Sequence, residues 1–167
     1  MHALVQLATR KWLDTNSRLR QWRRAFTAFM AREFPSGSFE NWTRCQVLLP
    51  HAAPMFEKKP AEERLLWDWA QVLSNAGWYL WTKGQYTEAE DVARKAVEAR
   101  ENVAGQDAMQ ALHSIAILAL VLQSQGKYEA AEAMNRRALE GYEKALGKDH
   151  PDTLKPCLST RPPTPVR

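Results

Sequence analysis

The sequence contains the same pattern twice, 42 residues apart. The segment GQYTEAEDVARKAVE begins at Gly84, and GKYEAAEAMNRRALE begins at Gly126. When residues 71–112 are aligned with residues 113–154, 12 of the 42 positions are identical, whereas average composition gives roughly 3. A single short unit of this kind cannot bury its own apolar side, so neighbouring units have to pack against each other.

Ten positions define the repeated unit, and their spacing indicates a pair of helices. In each copy a glycine separates two stretches of helical apolar spacing, and left-handed backbone after a helix is readily reached without a Cβ atom. Alanines recur where two helices must approach closely, and Asp107 and Asp149 suit N-cap positions. The pattern predicts an all-α solenoid of about three stacked antiparallel hairpins preceded by a short helix. The defining residues are Gly77, Gly84, Tyr86, Ala89 and Ala96 in the first copy and Ala119, Gly126, Tyr128, Ala131 and Ala138 in the second.

The order of these residues resembles the tetratricopeptide repeat. The 42-residue spacing and the segment RRALEGYEKALGKDHPDTL are similar to the kinesin-light-chain type of that repeat, in which a longer linker follows the helix pair. The first copy departs from the pattern, since AGQDAMQAL stands where the second copy has LGKDHPDTL. The resemblance covers about residues 65–154 and implies a protein-binding module.

The first third of the chain is basic and repeats the pattern only in part. Residues 1–60 carry 10 Lys and Arg against 4 Asp and Glu, whereas the rest carries 13 against 15. Gly37, Phe39 and Trp42 correspond to Gly84, Tyr86 and Ala89 at an offset of 47 residues. This indicates a diverged hairpin that contains an insertion.

Apolar spacing predicts a helix over residues 17–34, with Ser17 as its N-cap. Pro50 is expected to kink or end the following helix, and Pro60 to lie in the first turn of the next one. The buried face of the helix over 17–34 would consist of Leu19, Trp22, Phe26, Phe29, Met30 and Phe34, which leaves the arginines in solvent.

The N-terminal segments MHALVQLATRKWL and FPSGSFENWTRCQVLLPHA resemble fungal NLR-like receptors, at the point where a winged-helix segment passes into a kinesin-light-chain-like repeat array. The resemblance implies that Met1 and His2 fall at an MHD-like position, whose histidine senses the nucleotide of a neighbouring ATPase domain. The sequence has no GxxxxGK[ST] phosphate-binding loop. The resemblance therefore implies the sensor or scaffold part of such a receptor, or a fragment of one.

These patterns divide the chain into four segments. We expect a short helix resembling the end of a winged-helix segment over residues 1–16, a diverged hairpin with an insertion over 17–64, and the 42-residue repeats over 65–154. Residues 155–167 contain four prolines and no apolar period, which predicts a disordered tail.

The resemblance also implies where a ligand binds. In such arrays the first helix of each pair lines a concave groove that can hold a peptide. Asn75 stands where related repeats commonly carry an asparagine that binds the ligand's main chain, and it is otherwise a solvated groove residue. Trp78 either contacts the ligand or packs against the preceding hairpin, whereas Trp67, Trp69 and Trp81 are expected in the core. The candidate groove residues are Gln71, Asn75, Trp78, His113 and Gln123.

Other functions have less support in the sequence. Glu62 with Glu63 and Glu88 with Glu90 are expected on solvated helix faces, and Cys45 in the core, so we expect no catalytic residue, cofactor or metal site. The arginines of residues 18–24 could meet nucleic acid, a weaker alternative if the neighbouring aromatic residues are buried. The uncapped end of the array offers self-association as a further alternative. Two distant cysteines and no 18-residue apolar window predict a cytoplasmic protein that does not span a membrane.

Overall fold

The computed structural model describes residues 3–15, 18–105 and 108–147. Over these ranges the chain forms seven α-helices and a 3₁₀ turn, Phe39–Asn41, with no strand. This confirms the predicted all-α architecture. The helices are α1 (Ala3–Thr15), α2 (Leu19–Glu33), α3 (Trp42–Phe56), α4 (Glu63–Thr82), α5 (Tyr86–Ala104), α6 (Met109–Ser124) and α7 (Tyr128–Leu146).

Several sequence predictions fall outside the described residues. They concern Met1 and His2, the N-caps Ser17, Asp107 and Asp149, and the tail over 155–167. The residue that precedes α2 is Arg18 and the one that precedes α6 is Ala108, and neither donates or accepts a side-chain capping bond.

The two copies of the repeat form the hairpins α4–α5 and α6–α7. Gly84 and Gly126 have φ angles of 75° and 77°, as predicted for the residue after a helix. In the first turn Gln85 N donates to Leu80 O at 3.0 Å, and in the second Lys127 N donates to Leu122 O at 2.9 Å. These six-to-one bonds satisfy carbonyls at the helix ends and let the chain reverse.

Small residues allow the hairpins to stack. The alanines at the repeated positions 89, 96, 119, 131 and 138 are all at most 3% exposed. Helix α5 packs against both α4 and α6, and α4 also contacts α6 directly. Between α4 and α6 the buried hydroxyls of Ser74 and Ser114 lie 2.9 Å apart in a hydrogen bond. The buried apolar residues form two clusters, and each includes residues of both hairpins: Val121 of α6 belongs to the first cluster, and Ala93 and Val97 of α5 to the second.

Helix α2 buries only part of the predicted face. Trp22, Phe26 and Phe29 are 57%, 40% and 46% exposed. Met30 and Phe34 of the predicted stripe are buried, and so is Thr27, which was not part of it. The buried face keeps Met30 and Phe34 and is shifted away from Trp22, Phe26 and Phe29 toward Thr27. The buried face lies against α4. Helix α2 contacts α4 more extensively than helix α3 contacts α4.

The prediction for Pro60 was wrong, and one of the two alternatives given for Pro50 is excluded. Pro50 does not end α3, which continues through Pro50 and Pro54 to Phe56. Pro60 precedes α4 rather than lying in its first turn, because the helix begins at Glu63.

Gly37 has a different role from the turn glycine to which it was aligned. It is buried and is not among the glycines with positive φ. A Cβ atom at this position would lie 2.5 Å from Tyr79 N, so the glycine is required for close approach to α4.

Candidate functional site

The face of α4 that was predicted to line the groove carries a chain of hydrogen bonds. Gln71 and Asn75 lie one turn apart, and Gln71 Nε2 donates to Asn75 Oδ1 at 3.1 Å. Asn75 Nδ2 in turn donates to the main-chain carbonyl of Phe34 at 3.0 Å. The structure thus brings two of the predicted groove residues together. The side-chain amide of Asn75 is hydrogen-bonded to a main-chain carbonyl and is not left to solvent.

Arg100 on α5 extends this chain of hydrogen bonds into the core. Its Nη2 donates to Gln71 Oε1 at 2.7 Å, and its guanidinium lies 5.3 Å from the centre of the Trp67 ring. The residue is 2% exposed, and its Nε has no partner in the described part of the chain. Burial lowers the pKa of the Arg100 guanidinium to about 10. A buried cation that donates to Gln71 fixes the side-chain amide of Gln71 in one orientation.

The segment that Asn75 binds lies against α4. Phe34 has φ −80° and ψ 106°, and Gly37 reaches the backbone of Trp78 and Tyr79. Cys45 Sγ lies 3.8 Å from Pro35 O and 3.6 Å from Ser36 O. Burial raises the pKa of the Cys45 thiol, which fits the core position predicted for it. Residues 34–37 therefore occupy the α4 face from Asn75 to Tyr79.

Trp78 and His113 form the next part of the same surface. Their rings meet edge to face with centroids 6.2 Å apart, which joins α4 to α6. Trp78 is half-buried and packs against the apolar cluster of the second repeat, while His113 is exposed. Trp78 therefore packs against the following hairpin.

Gln123 is separated along α6 from His113, the other candidate on that helix. It is ten residues beyond His113, or about 15 Å along α6. The position that Asn75 occupies on α4 is taken on α6 by Ile117, which is 5% exposed and cannot donate a hydrogen bond. The polar chain is therefore confined to the first repeat.

Three further tryptophans were expected in the core, and Trp69 is buried there at 3% exposure. Its Nε1 donates to Met55 O at 2.8 Å, which ties α4 to α3. Trp67 and Trp81 are half-buried at the margin of the core, where Trp81 Nε1 donates to Ser124 Oγ at 2.8 Å.

Glu90 was expected on a solvated helix face, but it lies at the contact between the two repeats. Glu90 is half-buried, and it accepts hydrogen bonds from Arg94 on its own helix and from Lys127 in the next hairpin. Glu62, Glu63 and Glu88 are exposed as expected. Glu90 therefore stabilises the stacking of the two repeats.

Sequence reasoning missed Arg100 as a residue of this surface. A signal was present, because Arg100 continues the spacing of Ala89, Val92 and Ala96 on the buried face of α5. A charged residue on such a face needs a polar partner, and Gln71 on α4 provides it. In the second repeat the equivalent residue is Tyr142.

The described residues contain no group of three His, Cys, Asp or Glu side chains arranged to hold a metal ion. Across the same residues no helix is long and apolar enough to span a membrane.

Comparison with known proteins agrees with this architecture. The family model for the tetratricopeptide repeat matches residues 69–107 and 111–152, which correspond to the hairpins α4–α5 and α6–α7. Over 106 residues, 64% of this chain, the sequence is 34% identical to a "Nucleotide-binding leucine-rich repeat (NLR)-like protein" of Hyaloscypha variabilis. The aligned part of this chain spans 11% of that relative's length. Residues 69–152 are thus a pair of tetratricopeptide repeats, similar in sequence to part of an NLR-like protein.

Proposed function

We propose that this chain is a non-catalytic module that binds a protein or peptide, and that it is the sensor or scaffold part of a fungal, cytoplasmic NLR-like receptor. The repeats and the similarity to the NLR-like protein support the receptor context. The binding role rests on the surface formed by α4 and α6.

The observation that carries the proposal is the bond from Asn75 Nδ2 to Phe34 O. Main-chain carbonyls are present in every peptide, so an amide donor fixed by its neighbours can hold an extended chain whatever its side chains are. Gln71 and Arg100 fix the Asn75 amide in this way. An α4 face that holds the main chain of residues 34–37 in this way supports a role in holding the main chain of a partner.

Residues 34–37 cover Asn75 and the backbone at Trp78 and Tyr79, so the partner would contact the neighbouring side-chain surface between α4 and α6. That surface contains Trp78 and the exposed His113. A tryptophan held in place by packing offers a large contact area at low entropic cost, which is why Trp is enriched at binding hot spots. Recognition would be by shape, hydrogen bonding and charge, with no cofactor and no covalent step.

Site-specific photo-crosslinking tests the proposal. A photo-reactive amino acid replaces His113 in one variant and Glu132, which is exposed on α7, in the control. Both are incubated with extract of cells that produce the chain. We expect a discrete heterologous adduct at position 113 and none at position 132. Equal labelling at the two positions, or no adduct at 113, contradicts the groove as the binding surface.

The same experiment distinguishes self-association, since an adduct of twice the chain mass would be a homodimer. In the described part of α7, Tyr128 is the one large apolar side chain that is exposed, at 65%. Light scattering over a dilution series measures the oligomeric state directly.

A further inference from the structure

A cavity of about 780 Å³ lies at the opposite end of the molecule from the second repeat. Its walls are helices α1 and α2, the end of α3, the segment 57–62 and the start of α4. Its volume falls within the range of about 300–1,000 Å³ that is typical of sites for small organic ligands. The repeats and the candidate groove do not use this cavity.

One part of the cavity wall is apolar. Phe26 is 40% exposed and Leu7 is 64% exposed, although large side chains of this type are usually buried. Leu19, Met55 and Leu65 complete this wall. A ligand with an apolar body would remove this surface from water, at about 0.8 kcal/mol for each methylene group buried.

The rest of the wall is strongly cationic. Six of the sixteen lining residues are Lys or Arg and one, Glu62, is acidic. Arg24 is paired with Glu62, and Lys59 donates to Glu98 at 2.6 Å. The other four, Lys11, Arg20, Arg23 and Lys58, form no ion pair with any carboxylate whose side chain the structure describes.

This combination selects for one class of ligand. Four cations around one cavity repel each other, and an anionic group between them would relieve that repulsion and accept their hydrogen bonds. An inorganic anion would leave the apolar wall in water, and a neutral hydrocarbon would leave the charges unpaired. A molecule with both an anionic head and an alkyl body satisfies both parts of the wall.

We propose that the cavity between α1, α2 and the α3–α4 segment binds a single-chain anionic amphiphile, with its alkyl chain against Leu7, Phe26 and Met55 and its head group between Arg20, Arg23 and Lys58. The shared chemistry of a long-chain carboxylate and an alkyl phosphate defines this class.

Isothermal titration calorimetry with short-chain amphiphiles, used below their micellar concentrations, tests the proposal. The probes are decyl phosphate, decanoate, the neutral decyl maltoside and the cationic decyltrimethylammonium. We expect saturable one-to-one binding of the anionic probes, and the ratio of their affinities identifies the preferred head group. Shortening the chain from ten to eight carbons should weaken binding by up to about fifteenfold, from the transfer free energy of two methylenes.

Two double variants, each of which removes two positive charges, distinguish binding in the cavity from nonspecific attraction to the net charge of the protein. Arg20→Gln with Arg23→Gln should weaken decyl phosphate binding by about tenfold, because two charge-assisted bonds are lost. Arg94→Gln with Arg136→Gln, on α5 and α7, should leave the affinity unchanged. Circular dichroism establishes that each variant is folded, which is expected because the four substituted side chains are exposed.

Several results would overturn the proposal. They are equal binding of the cationic probe, an equal effect of the two double variants, and binding that does not saturate. Binding of an acidic amphipathic peptide by the unmodified chain, without measurable binding of decyl phosphate, would assign the cavity to a protein partner instead. If Phe26→Ser leaves the affinity for decyl phosphate unchanged while binding is otherwise as expected, the alkyl chain does not lie against this wall.

Discussion

Lys127, in the turn between α6 and α7, donates a hydrogen bond of 2.7 Å to the Glu90 carboxylate on α5. Arg94 donates to the same carboxylate from within α5 at 2.8 Å. The equivalent Glu132 in the second repeat accepts a bond of 2.8 Å from Arg136 and has no counterpart of Lys127 among the described residues. The Glu90 side chain is 14% exposed and that of Glu132 is 67% exposed. Stacking of a following hairpin is therefore what buries this glutamate.

The Glu90 pair makes stability depend on acid pH. Partial burial opposes ionisation, but the bonds from Lys127 and Arg94 outweigh it and lower the pKa of Glu90 to about 2. A carboxylate whose pKa is lower in the folded state stabilises that state above its unfolded pKa of 4.5. This contribution is lost as pH falls from about 4.5 to about 2. We estimate it at roughly 1–2 kcal/mol, discounted because Lys127 is half exposed.

Glu90→Gln and Glu132→Gln form a matched pair for this prediction. Chemical unfolding at pH 7 should show Glu90→Gln less stable than the unmodified chain, and the difference should disappear near pH 2. Glu132→Gln should follow the unmodified chain at every pH. If the two variants have the same pH dependence, Glu90 does not have the lowered pKa.

Gly77→Ala should stabilise the protein by about 0.5–1 kcal/mol, because alanine favours helix over glycine. The new Cβ atom would lie 3.6 Å from the Ala93 Cβ and 3.7 Å from Ala89 O, which are ordinary contacts. The second repeat already has alanine, Ala119, at this position. Thermal unfolding measures the effect, and a lower midpoint would mean that α4 and α5 cannot accommodate a methyl group.

Gly37→Ala should destabilise the protein by about 2 kcal/mol or more, since overpacking against backbone cannot be relieved by a rotamer change. The clash is with Tyr79 N at 2.5 Å and Tyr79 Cα at 2.8 Å. Hydrogen exchange should become faster in residues 34–38 than in α6–α7. Unchanged exchange in that segment would contradict its docking on α4.

Trp78→Ala should cost about 2 kcal/mol in unfolding free energy, less than full burial of the ring would give, because Trp78 is half-buried against the second repeat. Trp22→Ala is the matched control, since Trp22 is 57% exposed and should change stability by no more than about 0.5 kcal/mol. A larger loss for Trp22→Ala would support the buried stripe that the sequence predicted.

The repeats could be predicted from the sequence because their constraints are local. Gly84 and Gly126 lie where the backbone has positive φ, and Ala96 and Ala138 lie where helices pack closely. At each of these positions the residue type by itself indicates the local geometry. Helix α2 was harder, because its apolar residues cover two adjacent faces and only the contact with α4 decides which is buried. Periodicity at Trp22 and Phe26 gives the helix but not its rotation.

The candidate site was predictable only in part, because some of its contacts depend on tertiary packing. Gln71 and Asn75 share a helix face by spacing alone, and the structure places them within hydrogen-bonding distance. Their partners Phe34 and Arg100 come from 41 and 29 residues away in the sequence, so pairing depends on tertiary packing. Occupation of the α4 face by residues 34–37 could not be read from any local pattern.

In the proposed function, the surface at Trp78 and His113 binds a protein or peptide partner. The most direct test is the dissociation constant of the partner captured at position 113, measured for the unmodified chain, for His113→Ala and for Glu132→Ala. We predict that His113→Ala weakens binding by about tenfold or more, as for a residue that contributes to a hot spot. Glu132→Ala should leave the affinity unchanged. Both variants should unfold at the same temperature as the unmodified chain. Equal affinity for all three proteins would contradict the account.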